Sequence, residues 1–251
     1  MKRQHLSSAL ITGGSRGLGL ALATALCRRG ARVVLVAREP SALEQAVAAV
    51  NAAGATSGGQ AFGIAADIGD QHATYQIAGE AHALIGHIDL LVHNASTLGA
   101  LPMPLLADTE CEDLERVLQV NLIGPFRLTK TLVGTMALRG GGTIVHISSD
   151  AAVEAYPGWG PYGASKAALD HMNRTFAAEF ADMAGLRFLS IDPGEMDTRM
   201  HADALPDADP ATLADPADVA ERILAILEPT AAVASGGRIA AGDWVPGEVG
   251  A

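Results

Sequence analysis

The sequence predicts a three-layer α/β fold: a doubly wound parallel sheet of about seven strands with helices on both faces. Short β-rich runs alternate with segments of helical length along almost the whole chain. Several of these runs are apolar at consecutive positions, which is typical of strands covered on both faces. Alternation of this kind requires right-handed crossovers between parallel strands. The predicted strands cover residues 9–12, 32–37, 61–66, 88–93, 142–148, 186–191 and 237–241, and the predicted helices cover residues 17–29, 41–53, 70–85, 110–138, 161–184 and 216–228.

The organisation of the chain predicts one domain over residues 1–251, because no linker rich in proline, glycine and serine divides it. The least regular stretch follows the sixth predicted strand, where Pro206, Pro210 and Pro216 disfavour a regular helix. Ligands bind at this end of the sheet in open α/β folds. A plain linker and a mobile substrate loop over residues 195–215 are both compatible with this pattern.

The composition disfavours several functional classes. A net charge of −11 argues against nucleic acid and anionic membranes as partners, and no apolar run is long enough to span a bilayer. Cys27 and Cys111 lack the spacing of a disulfide framework or zinc site, and the histidines lack paired metal-ligand spacing, so no metal is expected. These observations predict a cytoplasmic protein that binds small molecules.

A glycine-rich turn, TGGSRGLG at residues 12–19, follows the first predicted strand and precedes the first predicted helix. Glycines let the backbone approach a pyrophosphate, whose charge then faces the amide groups of the helix N-terminus. This strand–turn–helix context is the one that a dinucleotide-binding loop requires, so the fold is predicted to be Rossmann-type. The predicted cofactor contacts in the loop are Gly13, Ser15, Arg16, Gly17, Leu18 and Gly19.

The end of the second strand predicts NADP(H) in preference to NAD(H). Folds that use NAD usually place an acidic residue there for the ribose 2′-hydroxyl, whereas this chain has Ala37 followed by Arg38, with Arg16 in the glycine loop. Two guanidinium groups favour a 2′-phosphate. After the third strand, Asp67, followed by Ile68, is placed either to accept a hydrogen bond from the adenine amino group or to cap the next helix.

Six motifs, in order, resemble the single-domain branch of the short-chain dehydrogenase/reductase family. They are TGGSRGLG, HNAS (93–96), VNLIGPF (120–126), ISS (147–149), YGASK (162–166) and DPGEMDT (192–198), and they cover nearly the whole chain up to about residue 215. The resemblance implies a seven-stranded sheet and nicotinamide-dependent oxidation or reduction. It also implies a homodimer or homotetramer.

The resemblance assigns the catalytic roles to Asn121, Ser149, Tyr162 and Lys166. Tyr162 is implied to protonate the carbonyl oxygen, and Ser149 to donate a hydrogen bond to that oxygen. Lys166, one helical turn after Tyr162, is implied to hold the nicotinamide ribose. A tyrosine ordinarily titrates near pH ~10, and the ammonium group, the helix N-terminus and an oxidised nicotinamide are each expected to lower that pKa.

Two details of these motifs follow from the residues themselves. Strand alternation directs Ser148 away from the side that Ser149 occupies. Pro125, four residues after Asn121, has no N–H to donate to the Asn121 carbonyl, which predicts a free carbonyl at a helix kink; a helix end or loop at Pro125 is the alternative.

The remaining motifs predict the nicotinamide and substrate sides of the site. The resemblance places Asn94, Ala95, Pro193, Gly194 and Thr198 against the cofactor. Ser96 departs from the glycine usual at that position, which adds a side chain near the cofactor. The predicted substrate contacts are Asp150, Tyr156, Trp159, Glu195 and Met196, although the favoured interpretation of Asp150 and Glu195 is that they are solvated surface carboxylates.

Taken with the resemblance, these motifs predict an NADP(H)-dependent oxidoreductase that reversibly reduces a ketone or aldehyde carbonyl to an alcohol. Two alternatives share the fold: a non-catalytic NADP(H)-binding sensor or regulatory protein, and a 3-oxoacyl-carrier reductase. The intact catalytic set disfavours the first, and the acidic chain disfavours docking of an acidic carrier.

Overall fold

The computed structural model describes residues 6–183, 185–228, 233–242 and 244. The strands are β1 (Ser8–Thr12), β2 (Arg32–Ala37), β3 (Gln60–Ala65), β4 (Leu90–His93), β5 (Gly142–Ile147), β6 (Leu186–Asp192) and β7 (Arg238–Ala240). They form one sheet in the order β3-β2-β1-β4-β5-β6-β7, in which every neighbouring pair is parallel. The predicted doubly wound sheet of seven strands is confirmed.

Helices cover both faces of this sheet. Their bounds are α1 (Gly17–Arg28), α2 (Pro40–Gly54), α3 (Ala73–Ile85), α4 (Cys111–Leu118), α5 (Gly124–Leu138), α6 (Gly160–Glu179), α7 (Arg199–Ala204) and α8 (Pro216–Leu227). Helices α1, α2 and α8 pack on one face of the strands, and α3, α5 and α6 pack on the other. Strand alternation serves both layers: Ile11 faces the first and its neighbour Leu10 faces the second.

The position of β1 explains where a ligand site arises. Because β1 lies between β2 and β4, the strand order reverses at this point, and a crevice opens beyond the carboxyl ends of the two central strands. The loops that follow β1 and β4 meet there. Thr12 accepts hydrogen bonds on its Oγ1 from the amides of Asn94 and Ala95, both at 3.1 Å.

The segment predicted as one helix over residues 110–138 consists of α4, a π-helical turn at Gln119–Ile123, and α5. Pro125 lies in the first turn of α5, so it provides no amide to the carbonyl four residues earlier. The predicted interruption at Asn121 is confirmed, and it is a wide turn inside a continuing helical path rather than a helix end or loop. Such π turns are frequent at functional sites.

Two predicted helices have one end that lies several residues from the observed bound. Helix α6 ends at Glu179, earlier than the predicted residue 184, and α3 begins at Ala73 rather than at residue 70. The loop predicted over residues 195–215 contains α7 and a 3₁₀ turn at Pro210–Thr212. Its ends are joined, because the Asp197 amide donates to the Ala214 carbonyl at 3.0 Å. The mobility of this loop stays a prediction.

Candidate active site

One cleft of about 890 Å³ follows the carboxyl ends of the strands. This volume lies within the range of about 300–1,000 Å³ typical of cofactor and small-molecule sites. Nearly all of the residues that the sequence singles out line it. The exceptions are Gly19 and Asn121, which lie behind its wall.

The glycine loop is shaped by two close approaches. Gly13 has a φ of +69°, and a Cβ atom there would lie 2.8 Å from the Ala95 Cα atom. A Cβ atom on Gly19 would lie 2.4 Å from the Gly13 carbonyl oxygen. Asn94 secures the turn, because its Nδ2 donates to the carbonyls of Thr12 and Gly13, both at 3.0 Å. Only glycine at these two positions lets the loop fold against the end of β4 and leave the cleft open.

The part of the cleft wall that follows β1 and β2 carries two cations. Arg16, directly before α1, and Arg38, directly after β2, both line it. Within the described residues, neither guanidinium group forms an ion pair with a carboxylate. Two positive charges near the N-terminus of α1 form a favourable environment for a phosphate group.

Asp67 also lines this end of the cleft, beside Ile68. Its carboxylate accepts from the Gly69 amide at 2.8 Å and from Arg116 Nη2 at 2.6 Å. Burial acts to raise the pKa of Asp67, but the Arg116 hydrogen bond, the Gly69 amide and the Arg38 charge hold it below its usual range. Since α3 begins only at Ala73, the helix-cap alternative for Asp67 is wrong, and the side chain closes a local turn instead.

Tyr162 and Lys166 lie one turn apart near the start of α6, where Pro161 occupies the first turn. Both side chains are buried, at 8% and 2% exposure. Lys166 Nζ lies 5.4 Å from the centroid of the Tyr162 ring and donates to the Ile147 carbonyl at 2.7 Å. Trp159 packs edge-on against the same ring at a centroid distance of 5.6 Å. The phenol and the ammonium group are thus fixed on a rigid element.

The two serines after β5 have different surroundings. Ser148 is buried, and its hydroxyl donates to Asp170 Oδ2 at 2.7 Å. Ser149 is partly exposed, and its hydroxyl donates to Asp150 Oδ1 at 2.9 Å. The predicted alternation is therefore present, and the Ser149 hydroxyl also acts directly on the Tyr162 phenol.

The pKa of Tyr162 differs from the sequence-based expectation. The pKa of Tyr162 is raised to about 12, chiefly by burial; Asp192 and Asp150 act in the same direction, and the Ser149 and Ser96 hydroxyls oppose the shift. Burial also lowers the pKa of Lys166 to about 8, against the effect of nearby carboxylates. The expected lowering of the Tyr162 pKa is wrong for the chain by itself, because removal from water outweighs the neighbouring ammonium group. Tyr162 consequently carries its proton at neutral pH.

Asn121 acts through its side chain. Its Oδ1 accepts from the Thr97 amide at 2.8 Å, and its Nδ2 donates to the Thr97 carbonyl at 2.9 Å and to Ser165 Oγ at 3.0 Å. Asn121 is 1% exposed, so these bonds are made away from solvent. The residue connects the π-helical turn to the segment after β4 and to α6, a role that the sequence pattern alone does not indicate.

The nicotinamide-side candidates Ala95, Pro193, Gly194 and Thr198 all line the cleft near the glycine loop. Thr198 caps α7 by accepting from the His201 amide at 3.3 Å. A Cβ atom on Gly17 would lie 3.4 Å from the Thr198 Cγ2 atom, so this loop and the glycine loop are neighbours.

The five predicted substrate contacts also line the cleft, at its other end. Asp150 and Glu195 are exposed at the mouth, so each is both solvated and part of the cleft wall. Asp150 Oδ2 accepts from the Tyr156 hydroxyl at 3.0 Å, and His201 Nε2 lies 3.7 Å from Glu195. Apolar side chains missed by the sequence analysis complete this end: Leu98, Leu101, Met200 and Leu205.

Ser96 and an ionic network are the other features that sequence reasoning missed or left open. The Ser96 side chain lines the cleft beside the glycine loop, and its hydroxyl acts on the Tyr162 phenol. Arg238 contacts Asp170 at 3.1 Å and Asp192 at 2.9 Å. The sequence feature that could have indicated this network is Asp192, directly before the Pro193–Gly194 turn, because a charged residue at the buried end of a strand needs a partner of opposite charge.

The part of the chain that the structure describes contains no group of three or more histidine, cysteine, aspartate or glutamate side chains able to hold a metal ion. No described helix is long and apolar enough to cross a bilayer.

A seven-stranded doubly wound sheet, a glycine loop at its switch point and a buried tyrosine–lysine pair in the same cleft are features of α/β oxidoreductases that use a dinucleotide. The sequence profile described as short chain dehydrogenase matches residues 7–209. The protein belongs to this family of oxidoreductases.

Individual relatives agree with this assignment. An uncharacterized oxidoreductase of Mycobacterium tuberculosis is 35% identical over 75% of this chain and 68% of its own length. The glycine betaine reductase of Emericella nidulans is 34% identical over 86% of this chain, which corresponds to only 17% of that longer protein. A Shigella flexneri protein solved in complex with NADP superimposes with a TM-score of 0.85 and 28% identity, over 95% of this chain and 99% of that one.

Proposed function

We propose that the protein is an NADP(H)-dependent oxidoreductase that reduces a ketone or aldehyde carbonyl to an alcohol, and that the reaction is reversible. The observation that carries this proposal is the convergence of Ser149, Tyr162 and Lys166 on the cleft that the glycine loop also lines. A protein that only bound a dinucleotide would gain nothing from burying a phenol and an ammonium group against each other, since burial of an ammonium group is costly.

The residues of the cleft suit the cofactor. The close packing of Gly13 and Gly19 leaves a cradle for a pyrophosphate in front of α1. Arg16 and Arg38 are placed for the 2′-phosphate of the adenosine ribose, and β2 ends in Ala37 rather than in an acidic residue. The relative solved with NADP supports the same choice. NADPH, when bound, supplies the hydride that reaches the carbonyl carbon.

The protein's own residues hold and move the proton. Tyr162 donates its hydroxyl proton to the carbonyl oxygen as the C=O bond becomes C–O, and its high pKa keeps it protonated until that step. The Ser149 hydroxyl donates a hydrogen bond to the same oxygen and stabilises the charge that develops there. Lys166, whose pKa is lowered to about 8, then returns a proton towards the phenolate, and is recharged from solvent.

The mouth of the cleft favours a polar, hydroxylated or cationic carbonyl compound. Asp150 and Glu195 bring negative charge beside the aromatic surface of Tyr156 and Trp159, an arrangement that attracts cations and disfavours fatty acyl chains. The loop over residues 195–215 is proposed to cover the substrate. A cytoplasmic location and a homodimer or homotetramer stay predictions.

The proposal is tested by following NADPH consumption with a panel of ketones, aldehydes, quinones and 3-oxo esters, for the wild type and Tyr162→Phe. NADPH binding is measured for both proteins by fluorescence. Turnover that disappears in the variant while binding is kept supports the reductase. Tight binding with no turnover by the wild type on any compound would instead favour the sensor, and selective turnover of 3-oxoacyl carriers would favour carrier reduction.

A further inference from the structure

Arg238, the first residue of β7, contacts three segments around the candidate active site through one guanidinium group. Its Nη2 donates to the Ser149 carbonyl at 2.8 Å and to Asp192 Oδ2 at 2.9 Å, and its Nε donates to Asp170 Oδ2 at 3.1 Å. Ser149 lies just after β5, Asp192 is the last residue of β6, and Asp170 lies on α6. Since a guanidinium group is planar and rigid, these bonds fix the segments relative to one another.

The partners of Arg238 are themselves tied to the site. Asp170 also accepts from the Ser148 hydroxyl at 2.7 Å, and Asp192 Oδ1 accepts from the Gly194 amide at 3.0 Å. Asp170 is 3% exposed and Asp192 is 8% exposed. Buried carboxylates need a partner that balances their charge, and within the described residues Arg238 is the cation that forms ion pairs with both.

The charge of Asp192 reaches the reacting groups. It acts to raise the pKa of Tyr162 and, with Asp170, that of Lys166. If the guanidinium group were absent, this negative charge would act on the phenol with less compensation. The groups that face Tyr162 from the elements packed around it are Lys166, Ser149, Asp150, Asp192 and Ser96.

We propose that Arg238 is a positioning residue of the reductase reaction, which holds the Ser149 backbone beside the cleft and balances the charge of Asp192 that faces Tyr162. This inference rests on the proposed function. It assigns a role in that reaction to a residue on the last described strand, far in sequence from the motifs that define the family. A purely structural ion pair would make the same contacts but would not influence proton transfer, and the two roles are separable by experiment.

The experiment compares Arg238→Met, Arg238→Lys, Asp192→Asn and the double variant Arg238→Met/Asp192→Asn. Alcohol oxidation by NADP⁺ is followed across a pH series, because this direction requires Tyr162 to have lost its proton. We expect Arg238→Met to lower kcat by about 10- to 100-fold through misplacement of Ser149. The limb of its pH–rate profile, which is the rise in rate as Tyr162 loses its proton, should move up by about one pH unit. The limb of Asp192→Asn should move down. The double variant should return the limb towards that of the wild type.

The matched control is Arg187→Met, which removes a partly buried arginine whose Nη1 donates to the Leu227 carbonyl at 2.9 Å, on β6 but away from the cleft. It should lower stability without moving the limb. If Arg238→Met fails to fold, Arg238→Lys keeps the charge and is expected to lower kcat with little change in the limb. The inference is overturned if the Arg238 variants lose only stability, or if Asp192→Asn moves the limb in the same direction as Arg238→Met. The absence of Tyr162-dependent turnover in the wild type would instead overturn the proposed function.

Discussion

Acidification should destabilise this fold through a pair of stacked histidines in its core. His93 on β4 and His146 on β5 are cross-strand neighbours with ring centroids 4.9 Å apart, at 2% and 0% exposure. His93 Nε2 pairs with Thr129 Oγ1 at 2.8 Å, and His146 Nδ1 pairs with Asn173 Oδ1 at 3.2 Å. Within the described residues neither ring is hydrogen-bonded to a carboxylate, and the charge of Asp170 offsets the burial of His146 only in part, so burial favours the neutral form of both rings in the folded state.

The size of the effect follows from the pKa values. Burial lowers the pKa of His146 from 6.5 to about 4, and it lowers that of His93 well below the usual range, with the neighbouring imidazole acting in the same direction. At pH values between about 6.5 and 4, the unfolded chain binds protons at these histidines that the folded chain does not bind. The free energy of unfolding therefore falls as the pH falls, by about 3 kcal/mol at pH 4 for His146 alone. His93 adds to this loss.

The assay is urea unfolding, followed by far-UV circular dichroism, at a series of pH values from about 7 to about 4.5. The double variant His93→Gln/His146→Asn keeps side-chain amides near the two hydrogen-bond positions but cannot titrate, and it should show a flat dependence over this range. His72→Gln, which removes an exposed histidine, should keep the wild-type slope. A wild-type free energy that does not change between about pH 6.5 and 5, or a double variant with the wild-type slope, would refute the reasoning.

Three further predictions concern the cleft. Replacing Arg38 or Arg16 by alanine should weaken NADPH binding by about 10- to 100-fold and leave NADH binding nearly unchanged, because each substitution removes a charged contact to the 2′-phosphate. Both affinities are measured by fluorescence titration, and equal losses for the two cofactors would argue against the assignment. Gly19→Ala should lower the free energy of unfolding by about 1–3 kcal/mol and weaken NADPH binding, because the added Cβ atom would lie 2.4 Å from the Gly13 carbonyl oxygen. A urea titration that gives the wild-type free energy of unfolding for this variant would contradict the prediction. The double variant Asp150→Asn/Glu195→Gln should lower kcat/KM for cationic carbonyl substrates by about 10-fold relative to neutral ones of the same size, and an unchanged ratio would remove the proposed substrate preference.

The features that the sequence predicts well are those with a local or periodic signature. Apolar runs identify all seven strands, and the position of Pro125 predicts the interruption of the long helix, which becomes a π-helical turn at Gln119–Ile123. The glycine loop is predictable because only a strand–turn–helix context gives its spacing a meaning.

What could not be predicted depends on contacts between residues far apart in the chain. Arg238 and Asp170 are 68 residues apart, and no periodicity indicates that they meet. The stacking of His93 on His146 depends on the register of β4 against β5. The direction of the Tyr162 pKa was predicted wrongly for a related reason: proximity to Lys166 is visible in the sequence, whereas the degree of burial is a property of the whole fold.

The most direct test of the central claim measures deuterium transfer from NADPH labelled at the nicotinamide C4 position into the alcohol carbon, with the best carbonyl substrate of the panel. The wild type should transfer the label to one face of the carbonyl, whereas Tyr162→Phe should lose about 100-fold or more in kcat while it binds NADPH as before. Tyr75→Phe, which alters a tyrosine that is 76% exposed and remote from the cleft, should behave like the wild type. Full label transfer by Tyr162→Phe at the wild-type rate would contradict the account.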